Sequence, residues 1–183
     1  MIGGVRSAAA LVEQRPGAVA LAATDLTVAD ATDAMRLRVD RVSLQAAHGE
    51  ILGLFGLLGA GCIETALAIY GAWPGRVSGR IALDGRDVAI ANPAQAGALG
   101  MGLMAQDRRD CLLLEHSVLD NALLASLGAI THRGFLDVGA GQRRAQDFVR
   151  RLDIKTPSVE TLVGTLSGPN QQKVQVAGWL VAV

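Results

Sequence analysis

After Glu50 the chain runs Ile51-Leu52-Gly53-Leu54-Phe55, places glycines at Gly56, Gly59 and Gly61, and continues through Thr65-Ala66-Leu67-Ala68-Ile69-Tyr70. A short apolar run bounded by glycines reads as a fully buried strand, and the segment after the glycines reads as a helix. Strand, glycine-rich turn and helix in that order make a cradle for an anion. Glycines let successive backbone N–H groups converge on one point, and the helix turns its positive end toward it. No other stretch limits the possible folds as tightly.

The spacing from Gly56 to Gly61 is that of a Walker A loop, G-x-x-x-x-G-K-[ST]. The two residues that should complete it are absent. Cys62 stands where the phosphate-binding Lys belongs, and Ile63 where the Mg²⁺-binding Ser or Thr belongs. Neither side chain offers a cation to phosphate or an oxygen to Mg²⁺. A plain strand-to-helix turn is the competing reading of the loop taken alone. A dinucleotide fingerprint begins at Gly59-Ala60-Gly61, but Glu64 occupies the third glycine's place and would crowd helix against strand.

With 183 residues, half of them apolar, the chain is long enough for one domain with a real core. Aromatic residues make up only 3%, so Ala, Val, Leu and Gly must build that core. Seventeen basic and 17 acidic residues balance to a net charge of zero, and no basic stripe is visible. That excludes a general nucleic-acid binder. Cys62 and Cys111 have neither metal-ligand spacing nor a framework for disulfides, which fits a reducing compartment. The apolar run after Arg6 is cut short by Glu13, and the stretch Ile51 to Ile63 is below spanning length, so a cytoplasmic chain without a membrane span is expected.

Met1 to Gly17 reads as a linker or tail. Strands are expected over Ala18 to Val28 and over the alternating segment Leu37 to Leu44. His48 lies in a turn and reads as solvent-exposed. Asp84-Gly85 between Arg80–Leu83 and Arg86–Ile90 is a hairpin signal. Asn92-Pro93 opens a brief helix to Leu99, and Gly100 to Met104 reads as a second buried strand before the polar cluster Gln106 to Asp110. Beyond Leu114 the texture is helical, with starts at Ser117, at Gln142 and after Thr165.

Leu166-Ser167-Gly168-Pro169-Asn170-Gln171-Gln172-Lys173 resembles the signature of ATP-binding-cassette ATPases in the form LSGGNQQK, typical of sugar-import ATPases of the ribose, galactose and xylose type. The resemblance runs back through the chain. Gly49-Glu50-Ile51-Leu52-Gly53-Leu54 with Gly59-Ala60-Gly61 is similar to the family's GEILGLxGLxGAGRTE loop, and Ser78-Gly79 with Leu83-Asp84-Gly85 to its SGxIxLDG hairpin. Gln106-Asp107-Arg108-Arg109 resembles its EDRK segment, Ser117 to Asn121 its SVxEN, and Ile154 to Ser158 its IKTPS. Met1-Ile2-Gly3-Gly4 resembles the MVGR that closes a first cassette.

What this resemblance implies is an α/β, P-loop ABC-cassette fold: an antiparallel β subdomain, a partial parallel-sheet core, and a helical subdomain at about residues 115–165. Residues 1–17 would be a tail from a preceding cassette and 18–183 part of a second one, ending before the Walker B strand. The implied ligands are ATP and Mg²⁺. A degenerate Walker A loop would comprise Gly56, Gly59, Ala60, Gly61, Cys62 and Ile63, the Q-loop residue would be Gln106, and the signature Leu166, Ser167, Gly168, Pro169, Asn170 and Gln171. The implied partners are a first cassette, transmembrane permease subunits and, indirectly, a sugar-binding protein, at the inner face of the cell membrane. Pro169 replaces the family's second Gly and removes one N–H from the signature. The chain alone is expected not to hydrolyse ATP. The alternative is a docking module that contacts a permease without hydrolysis.

Overall fold

The computed structural model describes residues 17–104, 111–124, 127, 130–132 and 135–182. The chain divides between Met101 and Gly102 into two compact units.

In the first unit, β1 (Val19–Ala29), β2 (Leu37–Ala47), β3 (Val77–Leu83) and β4 (Arg86–Val88) form an antiparallel sheet in the order β2-β1-β3-β4. The alternation from Leu37 to Leu44 slips by one residue at Arg41, whose φ is 50°. Leu26 pairs with Val42 but Val28 with Val39, so β2 carries an extra residue there. The reverse bulge lies at Asp25, also at φ 50°, between the pairs Ala23/Leu44 and Leu26/Val42. The two extra residues cancel, so inward positions stay inward on both sides of the irregularity. Gly79 sits opposite this kink at φ 118°, and a Cβ there would lie 2.8 Å from the Asp25 carbonyl oxygen. The β3–β4 turn is Asp84-Gly85, both at positive φ, as a two-residue hairpin of this hand requires.

Helix α1 (Cys62–Ile69) packs Ala68 and Ile69 against Ala23, Leu26, Val28, Val39 and Ile81, the core of this unit. Helix α2 (Pro93–Ala98) starts with Pro93 at its first turn, and the Asn92 side chain accepts from the Gln95 N–H at 3.0 Å. His48 is exposed, as expected, and pairs with Asp84 at 2.6 Å.

Two expected strands are not formed. Residues 51–56 and 101–104 run without ladder hydrogen bonds, and no parallel pair occurs among the described residues. Ile51 is 98% exposed, and Phe55, Leu57 and Leu58 are exposed as well. The cause is non-local. A buried strand needs a hydrogen-bonded neighbour on each side, and no described segment pairs with residues 51–56.

In the second unit, α3 (Val118–Leu123), α4 (Val138–Arg151) and α5 (Gly168–Ala182) enclose two apolar clusters, one around Leu119, Leu123 and Ile130, the other around Val118, Val163, Val174 and Ala177. Ser117 and Asp120 form a reciprocal capping box on α3. Helix α4 begins earlier than Gln142 because Asp137 accepts from the Ala140 N–H at 2.8 Å. Gly141 belongs to that first turn for a steric reason: a Cβ would stand 2.6 Å from Leu123 Cδ1. The helical texture is interrupted by a hairpin too short to read in sequence, β5 (Thr131–His132) with β6 (Phe135–Leu136).

Candidate functional site

The glycine loop keeps its backbone shape. Gly59 has φ 82° and Gly61 φ 89°, values that side chains resist, and Gly61 is the N-cap of α1. The Ala60 N–H closes a turn onto the Leu57 carbonyl at 2.9 Å. A Cβ on Gly56 would meet Ala60 Cβ at 2.7 Å, and one on Gly61 would meet the Arg38 carbonyl oxygen at 2.7 Å. The glycines are therefore steric requirements of the loop as well as phosphate-binding signals.

The side chains beside it do not complete a nucleotide site. Cys62 is a half-buried free thiol and Ile63 is exposed. Thr65, the nearest following hydroxyl, donates to the Gly61 carbonyl at 2.7 Å and is buried. A cavity of about 210 Å³ borders the loop, and Arg38 of β2 lines it together with Gly61, Cys62 and Thr65. Sequence reading missed this cation because it lies 24 residues before Cys62 with no motif around it. It is already engaged: Asp30 accepts from Arg38 Nε at 2.6 Å. Asp30 is buried, and the Thr32 N–H and hydroxyl, followed by Arg38, hold its carboxyl well below the usual carboxylate range. No group of three or more His, Cys, Asp or Glu able to hold a metal ion occurs among the described residues. Ile63 offers no oxygen to a metal ion, so the loop does not fit Mg²⁺.

Gln106 and the cluster Asp107 to Asp110 lie outside the described residues.

The signature segment is differently made. The Ser167 carbonyl accepts from the Gln171 N–H at 3.0 Å, the first bond of α5, so Ser167 is the helix N-cap. Gly168 and Pro169 form the first turn, where proline is tolerated. The Asn170 amide spans two elements: its Nδ2 donates to Ser167 Oγ at 2.9 Å and its Oδ1 accepts from the Lys155 N–H at 3.0 Å. Gln171 Nε2 donates to the carbonyls of Val163 and Leu166, both at 3.1 Å, which locks Leu166 against the preceding 3-10 turn. Lys173 Nζ donates to the Asp153 carbonyl at 2.7 Å, fastening the connector 153–155 to α5. The Asp153 carboxyl is itself held low, first by its hydrogen bond from Lys155 and then by that cation's charge. Ser167 is exposed. The arrangement leaves the hydroxyl proton of Ser167 and the N–H groups of Gly168 and Asn170 without acceptors among the described residues. Such a helix start is suited to an anion.

The ABC transporter family model matches residues 39–182. Among curated relatives, the ribose import ATP-binding protein RbsA of Rhodopirellula baltica is 41% identical over 143 residues, covering 78% of this chain and 28% of that protein. The xylose import ATP-binding protein XylG of Ralstonia nicotianae is 39% identical over 172 residues, covering 93% of this chain and 34% of that protein. The chain thus spans about a third of the length of the curated relatives it matches. Among solved structures, cbiO1 of Clostridium perfringens, part of the ABC transporter complex cbiONQ, superposes with a TM-score of 0.69 at 20% identity, covering 90% of this chain and 62% of that one. The ADP conformation of an ATP-binding cassette of an ABC transporter gives 0.68 at 17% identity, covering 90% and 65%. At these identities the two structures show the fold, that of an ATP-binding cassette.

Proposed function

The chain belongs to the ABC transporter family, and from that membership we propose that it acts as the second ATP-binding cassette of a sugar importer, supplying its signature helix to an ATP site on a partner cassette. The observation that carries this reading is the contrast between its two helix starts. One lacks both side chains that would hold Mg-nucleotide; the other presents Ser167 and first-turn N–H groups on a mount hydrogen-bonded through Asn170.

In the closed pair, ATP would lie on the partner's complete loop. The Ser167 hydroxyl and the N–H groups of Gly168 and Asn170 would face its γ-phosphate, where negative charge must be held during transfer. This chain's residues would orient and stabilise that phosphate, and Mg²⁺ and the attacking water would be held by the partner. Import of a sugar is the substrate class because curated relatives are named for ribose and xylose import. The other partners are permease subunits and a sugar-binding protein, and the place of action is the inner face of the membrane. No helix among the described residues is long and apolar enough to cross a membrane.

The test is a titration of MgATP into the chain alone and into an equimolar mixture with a cassette that carries the Lys and Thr. Binding and hydrolysis are expected only in the mixture, and Ser167→Arg in this chain is expected to abolish the hydrolysis. Hydrolysis in the mixture that ignores Ser167→Arg would favour the second reading, a docking module, for which the absence of a cation at Cys62 and of an oxygen at Ile63 is the supporting observation.

A further inference from the structure

We infer that Asn170 is a positioning residue that fixes the direction of the Ser167 hydroxyl, making it an obligate donor toward the bound anion. The inference rests on the signature reading above and adds to it a role for the Asn170 side chain.

The Lys155 backbone N–H can only donate, so the atom of the Asn170 amide facing it at 3.0 Å must be the oxygen. That settles which way round the amide lies, a choice that otherwise depends on the surrounding network. The amide nitrogen then faces Ser167 Oγ at 2.9 Å. An amide nitrogen donates and does not accept, so the hydroxyl oxygen is the acceptor in this bond. The proton on Ser167 must therefore point elsewhere, and it meets no acceptor among the described residues. A hydroxyl usually rotates to suit its neighbours; here one neighbour has removed half its choices. The mount is rigid. Lys155 belongs to a connector fastened to α5 by Lys173 through the Asp153 carbonyl at 2.7 Å, and Gln171 ties the other side to Val163 and Leu166. A donor bonded to from behind is also a stronger donor ahead, because chained hydrogen bonds polarise one another.

The test is a double-mutant cycle of Asn170→Asp and Ser167→Ala, each in this chain paired with a complete partner cassette, read as MgATP hydrolysis. The Asp substitution keeps an oxygen for the Lys155 N–H but presents the second oxygen to Ser167, so the hydroxyl turns its proton inward and ceases to donate outward. Ser167→Ala alone is expected to cost about 10- to 100-fold, the worth of a hydrogen bond to a charged group. Asn170→Asp is expected to cost at least about tenfold more in the Ser167 background than in the Ala background, since only the former has a hydroxyl to turn. Equal losses in both backgrounds would overturn the inference, because bare repulsion between the new charge and phosphate acts whichever residue stands at 167. A silent Ser167→Ala would instead overturn the signature reading itself. Retained slow exchange of the Lys155 amide in Asn170→Asp shows that the mount is intact and that a lost fold is not the cause.

Discussion

The glycine loop at 56–63 and the signature at 166–171 are both glycine-bearing helix starts, yet they hold their shape by different means. The loop's curvature is local: Gly59 and Gly61 adopt left-handed φ, and α1 follows at once. Its seat is not local, because the segment feeding it, 51–56, runs without a partner and leaves Ile51, Phe55, Leu57 and Leu58 exposed. The signature is anchored by side chains from its own neighbourhood. Asn170, Gln171 and Lys173 bond to residues 153–166, and the Gly164 N–H donates to the Leu114 carbonyl at 2.8 Å. A site whose supports all lie in its own compact unit is complete within that unit. A site seated on a central strand depends on distant chain.

That difference should be largest in amide exchange. Buried helical amides around Val174 and Ala177 open only with the second unit, whereas those of residues 52–57 have no ladder to protect them. Protection is expected to differ by roughly 10³-fold or more between the two segments. Exposed apolar side chains on an unpaired segment also invite association. The isolated chain should self-associate at micromolar concentration, and Phe55→Ser with Leu58→Ser should reduce it in sedimentation. Strong protection across 52–57 in a soluble monomer would erase the contrast between the two helix starts.

The next effect concerns what the loop lacks chemically. Cys62→Lys with Ile63→Thr returns a cation and an oxygen ligand to a backbone that already has the left-handed glycines. A hydrogen bond to a charged group contributes about 1.5–3 kcal/mol, so MgATP affinity should rise about 10- to 100-fold in an equilibrium titration. A gain below about threefold would move the deficiency from the side chains to the unpaired segment beneath them.

Pro169→Gly should act more mildly, on the other helix start. It restores one N–H to the first turn of α5 and costs helix stability through the glycine's freedom. Turnover in the chain paired with a complete partner cassette is expected to rise about three- to tenfold. An unchanged rate would mean that Gly168 and Asn170 already supply the donors that phosphate uses.

How much of this was legible in sequence follows the same division. The hairpin at Asp84-Gly85, the caps at Asn92 and Ser117 and the start of α5 were readable because each is fixed within a few residues. The strands expected at Ile51–Phe55 and Gly100–Met104 were not formed, since an apolar run records what it would bury but not whether a partner lies beside it. Within the signature, the motif pointed to Ser167, but the clamp from Asn170 to Lys155 joins residues 15 positions apart and leaves no periodic mark. Arg38 was missed for the same reason. Its place beside the loop depends on β2 lying next to Gly61, a tertiary fact.

The smallest expected effect separates the two units by acid. Two carboxylates sit below their usual range, Asp30 in the first unit and Asp153 in the second. Asp153 is exposed, with its partner Lys155 exposed too, so solvent screens the pair and little stability rides on it. Asp30 is buried, and its ionised form accepts from the Thr32 N–H, the Thr32 hydroxyl and Arg38. A carboxyl held low in the folded state stabilises that state fully above its unfolded value, about 3.9, and the contribution disappears as pH falls below that toward the folded value. The first unit should therefore lose stability on acidification below about pH 4 while the second changes less. Trp73 reports the first unit, since its indole N–H donates to the Ala29 carbonyl at 2.8 Å beside Asp30. In a Trp179→Phe background, urea midpoints from Trp73 fluorescence should fall between about pH 4 and pH 2. In Asp30→Asn the midpoint should already be lower at pH 7, because the Arg38 guanidinium has lost its anion, and should then vary less over the acid range. An acid slope that survives Asp30→Asn would assign the titration to other carboxylates and leave the two units alike in this respect.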